Sequence, residues 1–305
     1  MRPLKVKEFR SRSLSYESAC VRVEVCEKDS QHQSRVQWRI AGRPFYSTDA
    51  SKCFMDLGYA VERTSLYMSG GEGPLGGKDF SLACTEHLAP VFLMWPGRSF
   101  NVDVDCSEGL SRAEIPMMDG SAISFFNALR NMAGVPEELA FYDAPVRDAW
   151  ELRRPDADKA YGCVRITPSE TFEVSYILDR PDAHSFHSEA DVSVYSGEDL
   201  YNIFEARTFI LEQDYEKARR DGLLAGVDES CGFLIKAGNA DVQSPKYRVR
   251  EEPALHKILD LLGDLAFVRP ALPKIRVEIL NGGHAAHRQI IEKVINYAIR
   301  FRICP

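Results

Sequence analysis

The sequence predicts an α+β fold built in two halves, and three observations carry that reading. At 305 residues the chain is long enough for two ordinary domains. Period-two alternation of apolar and polar residues marks strands in both halves, and helix-period stripes follow strands in both. The apolar fraction of 45% and charged fraction of 27% are those of an ordinary globular chain.

Taken in order, Ala19, Val21, Val23 and Val25 alternate with Cys20, Arg22, Glu24 and Cys26. Val36, Trp38 and Ile40 alternate with polar neighbours, as do Phe100, Val102 and Val104, and then Phe172, Val174 and Tyr176. Each run predicts a strand with one buried face, the pattern of an antiparallel sheet covered on one side. Between the first runs, Gly71-Glu72-Gly73-Pro74-Leu75-Gly76 fits the spacing of a nucleotide loop. Pro74 stiffens it, Asp79 stands where Ser or Thr is needed, and Glu72 would meet the phosphate, so it reads as a plain turn. Ile123, Phe126 and Leu129 recur at helical spacing, and Gly134 closes that helix. The stretch Val135 to Ala157 carries three prolines and many charges, and is read as the boundary between domains at 1–140 and 145–305. A second helix is expected from Pro253 to Phe267, burying Leu255, Ile258, Leu259, Leu262 and Leu265. A last one covers Ala285 to Phe301, with Ile291, Val294, Ile295 and Ala298 inward.

Composition excludes several classes. A net charge of -7 leaves no basic footprint for nucleic acid. The longest apolar stretch, His87 to Trp95, is far short of the roughly 20 residues of a membrane helix. The basic N-terminus is followed by no apolar core of a secretory signal, so a cytoplasmic protein is expected. The eight cysteines are scattered with no C-x-x-C pair, and read as reduced, packed thiols. A monomer is expected.

Two segments carry the chemistry: Thr85-Glu86-His87, and His256-Lys257-Ile258-Leu259-Asp260. Together they supply two histidines and an aspartate, enough for a catalytic zinc site with one open position, and Glu86 as a base beside a ligand. On a helix His256, Asp260 and Asp264 lie one above another, forming a polar edge beside the leucine stripe. Alone, each segment is a weak signal, since most such pairs are surface residues. Gly282-Gly283 delivers His284 ahead of a helix, where it could serve as general acid with Asp264 to orient it; taken alone, a histidine at a helix start has no role. Cys84 is read as a packing residue. His32, His184 and His187 lie in polar loops, and His287, one turn after His284, could reach the edge of the site but is assigned no role.

At this point the chain resembles a family. Glu114-Ile115-Pro116-Met117-Met118-Asp119-Gly120-Ser121-Ala122 is similar to a signature of the UDP-3-O-acyl-N-acetylglucosamine deacetylases, zinc enzymes of lipid A synthesis. Thr85-Glu86-His87-Leu88, Ala206-Arg207-Thr208-Phe209, His256 to Leu265 and Gly283-His284-Ala285 resemble further blocks of that family, in its order. The resemblance implies two similar α+β domains, each a sheet layered with helices, with helix layers facing each other and the site between them. It implies zinc on His87, His256 and Asp260, ferrous iron being able to take the same ligands. It implies Glu86 as base, His284 as acid oriented by Asp264, and Lys257 with Thr208 steadying the oxyanion. The substrate implied is a UDP-acyl-sugar.

Departures fall elsewhere. Ser13-Leu14-Ser15-Tyr16-Glu17 keeps only the leucine of the family's glycine-rich N-terminal segment. Gly226 to Cys231, Leu178 to Pro181, and Ala286-His287 (where the family has Leu-Asn) also differ, and residues are inserted around Gly109 to Arg112. Pro90 is expected to kink a helix after His87. The charged segment Gln213 to Gly232 would form the acyl passage, its charges being its wet face. Chemical groups are kept while substrate-shaping segments change, so a paralogue hydrolysing another N-acyl small molecule is the competing reading. Keeping Glu86 beside all three ligand residues argues against a non-enzymatic regulator.

Overall fold

The computed structural model describes residues 3–26, 35–48, 58–62, 65–70, 80–106, 112–144, 146–153, 162–181, 186–221, 224–236 and 246–300. The glycine run from Gly71, His32, His184 and the inserted Gly109 lie outside the described residues.

The first half holds β1 (Pro3–Ser11), β2 (Ala19–Cys26), β3 (Arg35–Ile40), β4 (Arg43–Ser47), β5 (Gly58–Glu62), β6 (Ser65–Gly70), β7 (Phe80–Ala83), β8 (Ser99–Val104) and β9 (Arg112–Glu114), then helix α1 (Ile123–Ala133). Next come β10 (Phe141–Tyr142), β11 (Trp150–Arg153), β12 (Cys163–Pro168), β13 (Phe172–Arg180), β14 (Phe186–Val194), α2 (Tyr201–Glu205), β15 (Phe209–Leu211), α3 (Glu212–Arg220) and β16 (Phe233–Ile235). The chain finishes with α4 (Glu252–Val268), β17 (Leu272–Pro273), β18 (Ile275–Leu280) and α5 (His284–Arg300).

Two five-stranded sheets dominate, in the orders β1-β2-β8-β3-β4 and β11-β12-β18-β13-β14. In the first, β8 runs parallel to β3 and every other pairing is antiparallel. In the second, β18 runs parallel to β13 and every other pairing is antiparallel. Position by position the two sheets share one topology, so the fold is α+β with two similar sheet-and-helix halves. The alternating runs of the sequence form β2, β3, β8 and β13, and their apolar residues are buried.

The helices meet between the sheets. Every residue of α4 except Lys257 is buried, well beyond the leucine stripe with a polar edge that its sequence suggests. The reason is that α4 is covered on all sides. Phe267 lies 4.8 Å from Trp38 and 5.4 Å from Tyr46 by ring centroids, and the Tyr46 hydroxyl donates to the Val268 carbonyl at 3.0 Å. Its other flank packs on β13 and β14. Likewise α1 meets α2 through Phe126 and Phe204, 5.5 Å apart.

Where Pro90 was expected to kink a helix, there is no α-helix. Thr85–His87 and Ala89–Met94 are two short 3-10 turns. Pro90, with no N–H to give, sits in the first turn of the second, where none is needed. All of these residues are buried.

Candidate active site

Glu86 and His87 sit in the 3-10 turn that follows β7. Two local features hold this turn against α4. Cys84 takes a left-handed backbone conformation, φ 61°, which swings the chain out of the strand. Gly263 supplies the facing surface: a Cβ there would lie 2.1 Å from the Glu86 carbonyl oxygen. Only a glycine lets the helix touch the turn's backbone.

His256, Lys257, Asp260 and Asp264 project from α4 at the helical spacing expected. The start of α4 is tied to the Thr208 segment. Buried Glu252 receives Arg207 through Nε at 2.8 Å and Nη2 at 3.0 Å, and also the backbone N–H groups of Arg207 and Arg248. This bidentate pair aligns Ala206-Arg207-Thr208 with the helix, and the Ala206 carbonyl accepts His256 Nδ1 at 3.1 Å. His256 is thereby left with Nε2 free to face the site. His284 opens α5. The Asn281 side chain fixes the preceding turn by accepting from the Asp179 N–H at 2.7 Å and donating to the Asp179 carbonyl at 2.6 Å.

Nε2 of His256 lies 3.2 Å, and Nε2 of His87 3.7 Å, from the same oxygen, Oδ1 of Asp260. The other oxygen of Asp260 accepts the Lys257 ammonium at 2.9 Å. These three groups could together hold a metal ion, and so could Asp264, His284 and His287. Distances separate the two clusters. Ligand atoms on a tetrahedral ion with bonds of ~2.0–2.1 Å stand about 3.3 Å apart, which the first cluster brackets. In the second, Nδ1 of His284 and Nδ1 of His287 lie 2.8 and 2.7 Å from Oδ2 of Asp264, ordinary hydrogen-bond lengths. The first cluster fits a cation, while the second is already satisfied by protons.

Glu86, His87, Thr208, His256, Lys257, Asp260 and His284 all line one cavity of about 960 Å³. Asp264 is fully buried behind it. Glu86 Oε2 is buried with no hydrogen-bond partner among the described residues, an acceptor held ready at the cavity. Burial pushes the Glu86 carboxyl up, against the pull of His284 and His87. Burial opposes the charge on Asp260, but His256 and Lys257 hold it well below the usual carboxylate range. Burial pushes His256 down, toward the neutral form that binds metal. Burial opposes the charge on His284 as well, yet Asp264, Asp260 and Glu86 outweigh it and raise its pKa to about 9. The cavity thus sets a buried carboxyl and an imidazole of raised pKa around a candidate cation site.

Comparison with known proteins bears on the chemistry. Residues 41–296 match the family of UDP-3-O-acyl N-acetylglycosamine deacetylases. The chain belongs to this family. It is similar to the UDP-3-O-acyl-N-acetylglucosamine deacetylase of Synechocystis sp., 27% identical over 229 residues, covering 72% of this chain and 75% of that one. The Myxococcus xanthus enzyme of that name is 30% identical over 237 residues, covering 76% and 69%. That of Anaeromyxobacter dehalogenans is 31% identical over 199 residues, covering 62% and 59%. The family member described here is therefore a hydrolase of amide bonds, a deacetylase.

Two residues of this deacetylase's site escaped the sequence reading. Glu252 is the anchor of Arg207, and its signal was a carboxylate directly before Pro253 at a helix start. His287, given no role in the sequence, is fully buried against Asp264. Its spacing of four and seven residues from Ile291 and Val294 put it on the inward face, but nothing local showed that Asp264 and Tyr176 would meet it there. Cys84 lines the cavity and is outside both candidate metal clusters, and burial pushes its thiol well up. His187 lies on the surface near Glu189. No described helix is long and apolar enough to cross a membrane.

Proposed function

We propose that the protein hydrolyses the acetamide of UDP-3-O-acyl-N-acetylglucosamine, the deacetylation that its relatives' names describe, as a step of lipid A synthesis and with a zinc ion held by His87, His256 and Asp260. Ferrous iron suits the same ligands. The observation that carries this reading is the convergence of three ligand atoms, a partnerless buried carboxylate oxygen and an imidazole held by Asp264 on one cavity. When bound, zinc would supply Lewis acidity toward the carbonyl and lower the pKa of water to about 7.

The protein's own groups do the rest. Glu86 takes a proton from the attacking water, and its raised pKa makes it a stronger base than an ordinary carboxylate. His284, charged and held by Asp264, gives a proton to the sugar nitrogen as the C–N bond breaks, releasing acetate and a free amine. Lys257 and the Thr208 hydroxyl stabilise the oxyanion from the cavity wall. Tyr215 of α3, with Leu224 and Val227 beyond it, lines the same cavity and suits an acyl chain, while α3 has no fully buried residue and keeps its charges wet. A cytoplasmic location belongs to this reading, in line with free thiols at all six described cysteines.

A second reading has a specific observation behind it. Asp228, Glu229 and Lys236 also line the cavity, and Asp228 pairs with Arg12 at 2.7 Å across its wall. Such charged walls suit a smaller or more polar N-acyl compound. One assay separates the readings: purified, zinc-loaded protein is offered the UDP-acyl-sugar beside a panel of N-acyl amines, and products are followed by mass spectrometry. Deacetylation of the nucleotide sugar with kcat/KM of ~10⁴ M⁻¹s⁻¹ or above supports the first. Turnover confined to another amide supports the second, and no turnover of any amide defeats both.

A further inference from the structure

His287 takes no part in the reaction as proposed, yet it is fully buried in hydrogen-bond contact with two other fully buried groups. Its Nδ1 lies 2.7 Å from Oδ2 of Asp264, and its Nε2 lies 3.2 Å from the Tyr176 hydroxyl. The same Oδ2 is 2.8 Å from Nδ1 of His284. Oδ1 of Asp264 has no hydrogen-bond partner among the described residues.

Proton accounting fixes the direction of this chain. Oδ2 of Asp264 is the acceptor shared by two Nδ1 atoms at 2.8 and 2.7 Å, so each Nδ1 carries the hydrogen. Burial pushes His287 down, toward neutrality, which makes its Nε2 an acceptor. The Tyr176 hydroxyl, pushed well up by burial, keeps its proton and donates it there. The sequence is therefore Tyr176 O–H to His287 Nε2, and His287 N–H to Asp264 Oδ2, which also accepts His284 N–H. It ties β13, α5 and α4 together behind the cavity.

We infer that His287 is a positioning residue for the reaction: with its Nε2 satisfied by Tyr176, it pins the Asp264 carboxylate that aims His284 into the site. A carboxylate held through one oxygen by one donor can turn about its Cβ–Cγ bond and exchange its oxygens. A second N–H on the same oxygen removes that freedom. This role rests on the proposed part of His284 as acid.

Two measurements on the full-length, zinc-loaded protein test it. The first is nitrogen-15 NMR of the histidine rings, which reads the tautomer of His287 with no reference to activity. The Nδ1–H form is expected in the native protein, and Asp264 should keep it in Tyr176→Phe. An Nε2–H form in the native protein overturns the proposal. The second is kinetic. His287→Leu fills the space without a donor and should lower kcat by ~10–100-fold, the usual loss for a group supporting an active residue, with KM and zinc content little changed. His287→Asn puts an N–H close to where Nδ1 stood and should recover most of that loss. Equal kcat in the two variants overturns the positioning role. If His287→Leu does not fold, the NMR comparison still decides. If the native protein hydrolyses no amide, the functional reading fails while the tautomer result stands by itself.

Discussion

The two halves share a sheet and divide the chemistry. Strand order and direction repeat between β1-β2-β8-β3-β4 and β11-β12-β18-β13-β14. The helical elements repeat in place, before and after β8 and β18, but not in form. The first half offers two 3-10 turns and α1, and the turns supply Glu86 and His87. The second half offers α4 and α5, of seventeen residues each, and from them His256, Lys257, Asp260, Asp264, His284 and His287. A short turn can present adjacent side chains from one point. A long helix presents a ladder at four-residue spacing, which is how His256, Asp260 and Asp264 come to share a face. The comparison teaches that the sheets are scaffold, and that the candidate site exists only where turn and helix are pressed together, at Gly263.

The strongest test of this division removes a ligand from the helix side. His256→Ala should lose the metal and nearly all activity, and metal analysis of the purified variant checks it; full occupancy would take His256 out of the site. Next comes the turn side. Glu86→Gln keeps shape and metal but cannot accept a proton, and should lower kcat by ~10²–10⁴. A near-native rate with metal present would give the base to another group. The contact between the halves is tested by Gly263→Ala. Its Cβ would need to displace the Glu86 backbone, and overpacking of this kind costs about 1–3 kcal/mol. A lowered Tm is expected, together with a fall in kcat; unchanged values would mean the turn does not depend on that contact.

The smallest effect is electrostatic. His284 has a folded pKa of about 9 against an ordinary 6.5. Because it is raised, its contribution to stability is complete below pH 6.5 and is lost as pH rises through about 9. His256 and His287 are shifted down and change charge only below that window. The Tm of metal-free protein should therefore fall between pH 6.5 and 9, and His284→Ala should flatten that slope. Activity should be bell-shaped, with limbs belonging to coupled groups rather than single residues.

Much of this was legible in the sequence. Alternation gave β2, β3, β8 and β13, and helical spacing gave α1, α4 and α5 nearly to their ends. His256 and Asp260 could be paired from their i, i+4 spacing because geometry along one helix is local. Three features were not legible. The 3-10 form of Thr85–Met94 depends on burial against α4. The Arg207–Glu252 anchor joins residues far apart in the chain. The meeting of His287 with Asp264 and Tyr176 depends on how α5 sits against α4 and β13, although Ile291 and Val294 already marked its inward face, and Tyr176 in the sequence is only one more apolar position of a strand.

The central claim is that the metal joins the two halves. A zinc-edge anomalous map from crystals of the zinc-loaded protein tests it most directly. One peak is expected, within ~2.0–2.2 Å of Nε2 of His87, Nε2 of His256 and a carboxylate oxygen of Asp260. A peak on Asp264, His284 and His287 instead, with His87 left unliganded, would place the metal wholly in the second half and contradict the account.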